Sequence, residues 1–185
     1  YIFAIFFVAI VLFLSIPNFF DYSKKEQIIK NSLIQNYGLE IKEYESINFS
    51  SLPSPNLKIN DIKANFNSNK VNLNIKELTI YPKIFYIYNN KNFLLKKIKF
   101  NNSDTEMELN NFKNFYKNIF KFEKKLSFRN LNIKIKDKSK SSVNLKNINF
   151  SNYGYKKNII EGEIFKKKFK ISLKNKLNDI KFKLL

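Results

Sequence analysis

A repeated strand pattern is the feature that most constrains how this chain can fold. Apolar and polar residues alternate in four segments, 57–66, 73–80, 126–135 and 143–150. Alternation with a period of two indicates β-strands with one apolar face. Each segment also holds one extra polar residue near its middle, which would turn the following side chains to the opposite face unless a bulge or bend absorbs it. The pattern therefore predicts long strands that bend midway and keep one apolar face.

The extra residue of each segment falls in a polar pair, and the four pairs are Asn60-Asp61, Lys76-Glu77, Arg129-Asn130 and Lys146-Asn147. A less regular copy contains Ile98 and Phe100. Further alternation in 39–49 and 159–184, with a hairpin turn at 166–168, completes a mainly β chain. We expect an antiparallel, curved or twisted sheet of about eight to ten strands with a few short helices. The last strand runs to the final residue, so we expect the β-rich domain, 39–185, to continue beyond this sequence.

The first twenty residues predict a transmembrane helix. The segment 1–14 has no charged or amide side chain, and a helix over 1–20, at about 1.5 Å per residue, would cover the roughly 30 Å hydrocarbon core of a bilayer. No small-residue cleavage site follows, so an uncleaved anchor is favoured over a signal peptide. The chain begins with Tyr1 rather than Met, and we expect residues before it. The residues expected to contact lipid are Ile2, Phe3, Ile5, Phe6, Phe7, Val8, Ile10, Val11, Leu12, Phe13 and Leu14.

Two further segments have helical character. The segment 21–38 predicts an amphipathic helix near the membrane, with Asp21 or Ser23 placed to cap its start and Gly38 placed to end it. The segment 110–122 carries an aromatic stripe at helical spacing, which is more typical of core packing than of ligand binding. A shorter helix is predicted at 82–88, because proline is favoured in a first helical turn. The apolar residues of the first segment are Ile28, Ile29, Leu33 and Ile34.

Composition disfavours several function classes. The net charge is +19, but Arg129 is the only arginine, and the lysines are scattered as on solvated strand faces, so a nucleic-acid partner is not expected. Cysteine and histidine are absent, which removes thiolate zinc sites, disulfides and histidine bases. We expect no metal, no cofactor and no enzymatic activity. The carboxylates that an enzyme would need are Asp104, Glu106 and Glu108, or Glu161 and Glu163, and both sets occupy positions typical of solvated strands.

The N-terminal region resembles that of the AsmA family of envelope proteins. The resemblance rests on a membrane helix, a short helix ending at Gly38, a strand, and a Leu-Pro-Ser-Pro segment followed by an alternating strand. It extends through 78–85 and 93–100, and it covers 1–109 in all. Family members are usually much longer. The residues that carry it are Gly38, Leu52, Pro53, Ser54, Pro55, Leu57 and Asp61.

The resemblance implies a protein of the bacterial inner membrane with a single anchor and a β-rich domain in the periplasm. Relatives are linked to outer-membrane biogenesis, and the larger ones are viewed as bridge-like carriers in which a curved sheet forms an apolar trough. Phospholipid is then the expected partner, with other envelope proteins as further candidates. Lys24 and Lys25 directly after the anchor would favour the opposite orientation, but whole domains translocate largely regardless of such charges.

The leading hypothesis is thus a membrane-tethered β-groove that binds or conducts phospholipid acyl chains. A closed hydrophobic core is an equally weighted reading of the same residues, because periodicity does not distinguish a trough from a core. An assembly module that affects outer-membrane protein insertion is the alternative function. The residues expected to line the groove are Leu57, Ile59, Leu73, Ile75, Leu78, Ile80, Leu131, Ile133, Ile135, Leu145, Ile148 and Phe150.

Overall fold

The structure, a computed structural model, describes residues 1–51, 54–66, 71–89, 92–136, 142–152, 157–174 and 180–184. Within these ranges the chain forms three α-helices and ten β-strands. The helices are α1 (Ile2–Ser15), α2 (Glu26–Tyr37) and α3 (Leu109–Lys121). The strands are β1 (Leu39–Glu43), β2 (Ser46–Ser50), β3 (Asn56–Phe66), β4 (Val71–Pro82), β5 (Leu95–Glu108), β6 (Lys125–Lys136), β7 (Ser142–Ser151), β8 (Lys157–Ile164), β9 (Lys167–Lys174) and β10 (Ile180–Leu184).

The predicted helix over 1–20 is wrong in its extent. Helix α1 has 14 residues and is followed by a 3-10 helix, Ile16–Phe19. The cause is Pro17, which has no N–H to donate to the carbonyl of Phe13. The Tyr88 hydroxyl donates to that carbonyl instead, and the Ser15 hydroxyl bonds back to Val11 at 2.7 Å. None of the helices in the described ranges is long and apolar enough to cross a membrane.

Helix α2 confirms the predicted amphipathic helix in part. Gly38 ends it with φ 61°, a left-handed conformation that glycine adopts without strain, and its N–H donates to Ile34 at 2.9 Å. The predicted caps at Asp21 and Ser23 are wrong, because a 3-10 helix, Tyr22–Lys25, precedes α2. The buried Lys25 ammonium holds this turn by donating to the Ile87 carbonyl at 2.5 Å.

The strands form one open, curved, mixed sheet in the order β1-β3-β4-β5-β6-β7-β8-β9-β10, and β2 extends the β1 edge of β3. All neighbouring pairs are antiparallel except β5 and β6, which are parallel and which α3 connects. The parallel pair is a correction to the predicted antiparallel sheet. It arises because a helix between two strands returns the chain to the end at which the first strand began.

The extra polar residues form a crease across the sheet. Asp61, Asn102, Asn130 and Asn147 all have φ between 49° and 55°, and they lie in β3, β5, β6 and β7. Strand β4 differs, because Lys76 does not have a positive φ. The strand register with β3 and the register with β5 both skip Lys76. The apolar side chains stay on one face at both ends of the crease. The predicted bend within long strands is therefore confirmed in β3, β6 and β7.

Two other predicted segments differ slightly from the structure. The segment at 82–88 is a 3-10 helix, Ile84–Ile87, and Pro82 ends β4 rather than beginning a helix. The hairpin between β8 and β9 turns at Phe165 and Lys166, both with positive φ, so two of the three lysines predicted for the turn belong to β9. Helix α3 confirms the prediction for 110–122.

Candidate functional site

The apolar face of the sheet has a closed part and an open part. We define the closed part by the inward residues of β3 and β4 and the open part by those of β6 to β9. In the closed part, all six predicted groove residues are at most 2% exposed, and they pack in one cluster with Ile29, Leu33 and Tyr37 of α2. They are closed core. The six are Leu57, Ile59, Leu73, Ile75, Leu78 and Ile80.

The other six predicted groove residues line a cavity. It lies between α3 and the open part of the sheet and has a volume of about 370 Å³. These residues are 2–9% exposed, so they border the cavity without facing bulk water. The structure therefore brings half of the predicted set together around one space. The six are Leu131, Ile133, Ile135, Leu145, Ile148 and Phe150.

The remaining residues that line the cavity come from α3 and from the strands around it. Among the lining side chains that the structure describes, Tyr116 carries the one hydroxyl, and none is charged. Burial raises the pKa of Tyr116, so its phenol is uncharged at neutral pH. A cavity with this lining is suited to hydrocarbon rather than to a polar ligand. These lining residues are Leu109, Phe112, Phe115, Tyr116, Ile119, Phe128, Val143, Ile160, Ile164, Phe169 and Ile171.

Helix α3 reaches the apolar face because it connects the parallel strands β5 and β6. Its Phe115 ring meets Phe66 and Phe128 edge to face, with ring centroids 5.7 and 6.2 Å apart. Phe112 and Tyr116, one turn apart on the same stripe, are only half-buried and face the cavity. The aromatic stripe, which was predicted from the sequence to pack in the core, thus forms part of the core and part of the cavity wall.

Gly162 shapes the strand side of the cavity. A Cβ at this position would lie 3.1 Å from the Ile148 side chain and 3.1 Å from the Phe169 ring. Contacts of this length are tighter than most Cβ contacts, so a larger residue would require both neighbouring side chains to shift by a few tenths of an ångström. The glycine therefore lets Ile148 and Phe169 approach β8.

Sequence reasoning missed the α3 residues and the lining residues of β8 and β9. The alternation of Ile160, Ile164, Phe169 and Ile171 was the available signal for the strands. The position of α3 had no such signal, because it depends on the parallel crossover.

The segment before the sheet is strongly apolar and exposed. Ten of the predicted anchor residues, from Ile2 to Phe13, are 37–91% exposed, and Leu14 is half-buried. At the end of α1, Tyr88 stacks on Phe13 with ring centroids 4.6 Å apart and meets Phe20 edge to face at 5.7 Å. Phe19 and Phe85 beside this junction are 87% and 76% exposed. Exposed apolar surface of this extent is typical of an interaction site.

The carboxylates considered for catalysis lie on the other, polar face of the sheet. Asp104 accepts a hydrogen bond from Asn132 at 2.9 Å, and Glu106 pairs with Lys136 and with Lys134. The hydrogen bond from Lys136 lowers the pKa of Glu106. Within the described residues, Asp104 is thus held by a neutral amide and Glu106 by two ammonium groups, rather than by a second carboxylate. In the part of the chain that the structure describes, no three acidic side chains gather to hold a metal ion.

Most of the residues that carry the family resemblance lie in or next to β3. Ser54 and Pro55 precede β3, Leu57 is buried in the closed part, and the Asp61 carboxylate accepts from Lys76 at 2.7 Å across the crease. Leu52 and Pro53 lie outside the described residues.

A scan of the sequence against protein-family models gave no match, and a search of curated proteins also gave no match.

Proposed function

We propose that this protein binds phospholipid acyl chains in the cavity between α3 and the open part of the sheet, and that it does so at a membrane which α1 enters. The observation that carries the proposal is the cavity itself, whose lining is almost entirely aliphatic and aromatic. Each methylene transferred from water into such a lining contributes about 0.8 kcal/mol. A chain of several methylenes would therefore be held without any polar contact.

The exposed apolar surface of α1 supports the membrane part of the proposal. Ten apolar side chains of this helix are 37–91% exposed. Exposing them to water is unfavourable in free energy, whereas exposing them to hydrocarbon is not. Phe19 and Phe85 extend that surface onto the sheet domain. Lys24, which follows α1 in the chain, is 83% exposed and only 3.8 Å from Asp21, and an exposed ammonium group suits anionic headgroups. We infer that this end of the domain faces the lipid.

The resemblance to the AsmA family is the sole support for a more specific role. On that basis we propose location at the bacterial inner membrane, with the sheet domain in the periplasm, and participation in outer-membrane biogenesis. The apolar cavity agrees with a carrier or binding role in which no covalent step occurs.

Site-specific photocrosslinking in cells tests the proposal. A photoreactive residue at Ile133 or Ile148 faces the cavity, whereas one at Lys134 points to the polar face beside Ile133. We expect phospholipid adducts, identified by mass spectrometry, at the two cavity positions and none at Lys134. Ile75, which is 1% exposed in the closed part, is the matched closed-core position and should crosslink only within the protein. Absence of lipid at both cavity positions in a folded protein would refute the proposal.

A cavity-filling variant gives a second measurement. Val143 is a half-buried lining residue at the start of β7, and the neighbouring Asn144 points to the opposite face. Val143→Trp should reduce the phospholipid adduct at Ile148 severalfold, because the indole occupies space that the acyl chain needs. Asn144→Trp should leave the yield unchanged. Equal yields in the two variants would contradict binding in this cavity.

A further inference from the structure

The polar face of the sheet carries a groove that the proposed lipid function does not use. The groove has a volume of about 660 Å³ and runs across β3 to β8 on one side of the crease. Thr79 lies at its floor and is only 4% exposed, although it points away from the apolar core. Most of the other lining side chains are charged, amide or hydroxyl groups. The charged residues among them are Lys58, Lys99, Arg129, Glu77 and Glu161.

The two acidic residues in this polar groove are already matched. Glu77 accepts from Asn101 at 2.6 Å and from Thr79 at 3.0 Å, and Lys58 lies 3.6 Å away. Burial raises the pKa of Glu77, but these partners outweigh it and leave the pKa below the usual range. Glu161 pairs with Lys170 at 2.5 Å. Neither carboxylate needs a cation from the groove.

Two cations in the groove are left for a ligand. In the strand register, Lys99 lies opposite Ser127 and Asn101 lies opposite Arg129, so Lys99 and Arg129 are diagonal neighbours on one face. Such neighbours are about 7–8 Å apart at Cα, and both long side chains reach the space between them. Among the described residues, the Arg129 guanidinium forms no hydrogen bond or ion pair, and the Lys99 ammonium only lies 5.4 Å from the Tyr81 ring. Guanidinium and ammonium groups placed in this way suit a phosphate.

The groove also holds a buried acceptor without a partner. Asn56 is 5% exposed, and its amide nitrogen donates to the carbonyl of Ser54 at 2.8 Å. Its side-chain oxygen has no hydrogen-bond partner in the described part of the chain. A buried oxygen of this kind favours a ligand that brings a hydroxyl donor. Because Asn56 lies two strands from Lys99, a ligand that reaches both must extend about 10 Å.

We propose that the polar groove binds a phosphorylated polyol, with the phosphate between Lys99 and Arg129 and the hydroxyl groups toward Asn56. The ligand is either a free polyol phosphate or the headgroup of a phospholipid of that type. The site lies on the opposite face of the sheet from the apolar cavity. The inference is therefore independent of the proposed acyl-chain binding, and either one can fail alone.

The test is calorimetric titration of the full chain in a non-ionic detergent with inositol 1-phosphate, inorganic phosphate and inositol. We expect inositol 1-phosphate to bind at least tenfold more tightly than inorganic phosphate, and inositol to give no saturable heat. Arg129→Gln should weaken binding by about tenfold or more, because it removes a charged donor. Lys113→Gln removes the same charge from the exposed surface of α3 and should leave affinity unchanged. Arg129→Lys should fall between the two.

Three outcomes overturn the proposal: no saturable binding of inositol 1-phosphate, equal affinity for inorganic phosphate, or equal losses in Arg129→Gln and Lys113→Gln. Two outcomes support it and identify the source of the ligand. If phosphatidylinositol added to the micelles competes with inositol 1-phosphate, the groove accepts a lipid headgroup. If the free polyol phosphate binds and the lipid does not compete, the ligand is soluble.

Discussion

The closed and open parts of the apolar face have the same strand pattern and differ in what covers them. In the closed part, Leu78 and Ile80 are fully buried and belong to the hydrophobic cluster that includes Ile29 and Leu33 of α2. In the open part, Ile164 and Ile171 stay half-buried at the edge of the cavity. The alternation of a strand decides which side chains share a face. It does not decide whether that face is solvated, filled or left as a cavity.

The difference follows from the order of elements along the chain. Helix α2 directly precedes β1, contacts that strand, and shares one hydrophobic cluster with the inward residues of β3 and β4. Helix α3 is the crossover between β5 and β6, so it contacts those two strands and leaves β7 to β9 beyond its edge. In the described ranges no other helix follows to cover them. The cavity is thus the place where the sheet is wider than its helical cover.

The largest expected effect is a difference in core stability between the two parts. Leu78→Ala removes a side chain that is 0% exposed, and Leu145→Ala removes one that is 9% exposed and already borders the cavity. We expect Leu78→Ala to lower the free energy of unfolding by about 3–5 kcal/mol and Leu145→Ala by about 1–2 kcal/mol, because the cost grows with the new empty volume. Urea unfolding followed by circular dichroism measures both. Equal losses would mean that the open part is packed as tightly as the closed part.

Raising the pH into the alkaline range should produce the second largest loss of stability. Burial raises the pKa of Tyr37, which is fully buried at the end of α2, to about 12. A raised pKa means that the folded state holds its proton longer than the unfolded state. Stability from this group is therefore complete below pH of about 10 and is lost as pH rises toward 12, by about 2–3 kcal/mol in all.

Tyr37→Phe is the test variant, and Tyr116→Phe, in α3 at the cavity, is its matched control. Urea midpoints measured between pH 9 and 12 should fall less steeply in Tyr37→Phe than in the parent. The control should flatten the profile less, since Tyr116 is only half-buried. If both variants keep the parent slope, phenol ionisation is not what limits alkaline stability.

Much of the fold could be predicted because its signals are local. Period-two alternation gave the strands, the shift of one residue gave the crease, and Gly38 gave the end of α2. The extent of α1 was missed because Pro17 outweighed a uniformly apolar composition. The division of the groove residues was missed for another reason. It depends on which helix lies over which strand, and Leu78 and Leu145 carry no local difference that reports it.

Substitutions in the crease, which crosses both parts, should have an intermediate effect on stability. Asn130 in β6 has φ 55°, its main-chain N–H donates to the Asn149 side chain at 3.2 Å, and its own side chain donates to Asn102 at 3.0 Å. Asn130→Val should cost about 1–2 kcal/mol, because a β-branched residue is strained in the left-handed region. Asn130→Gly should cost less, since glycine adopts that conformation freely.

Thermal unfolding of both variants distinguishes the backbone contribution from the side-chain one. A large loss in Asn130→Gly would show that the amide contacts hold the crease and that the backbone conformation follows from them. Because Asn130 is exposed, neither variant should empty any core volume. If either variant changes the yield of the lipid crosslink at Ile148, we expect that change to result from the altered geometry of the crease rather than from the loss of global stability.

The smallest expected effect concerns the ion pairs at the two sides of the sheet. Lys63 pairs with Glu43 at 2.8 Å beside the closed part, and Lys170 pairs with Glu161 at 2.5 Å beside the open part. All four side chains are 44–68% exposed, so solvent screens both pairs and the ordering of long side chains offsets their attraction. We expect Lys63→Gln and Lys170→Gln to leave the urea midpoint unchanged within experimental error, at low salt and at high salt. A salt-sensitive loss in Lys170→Gln alone would change the comparison, because it would mean that surface charge, and not the missing helical cover alone, determines how the strands beside the cavity are held.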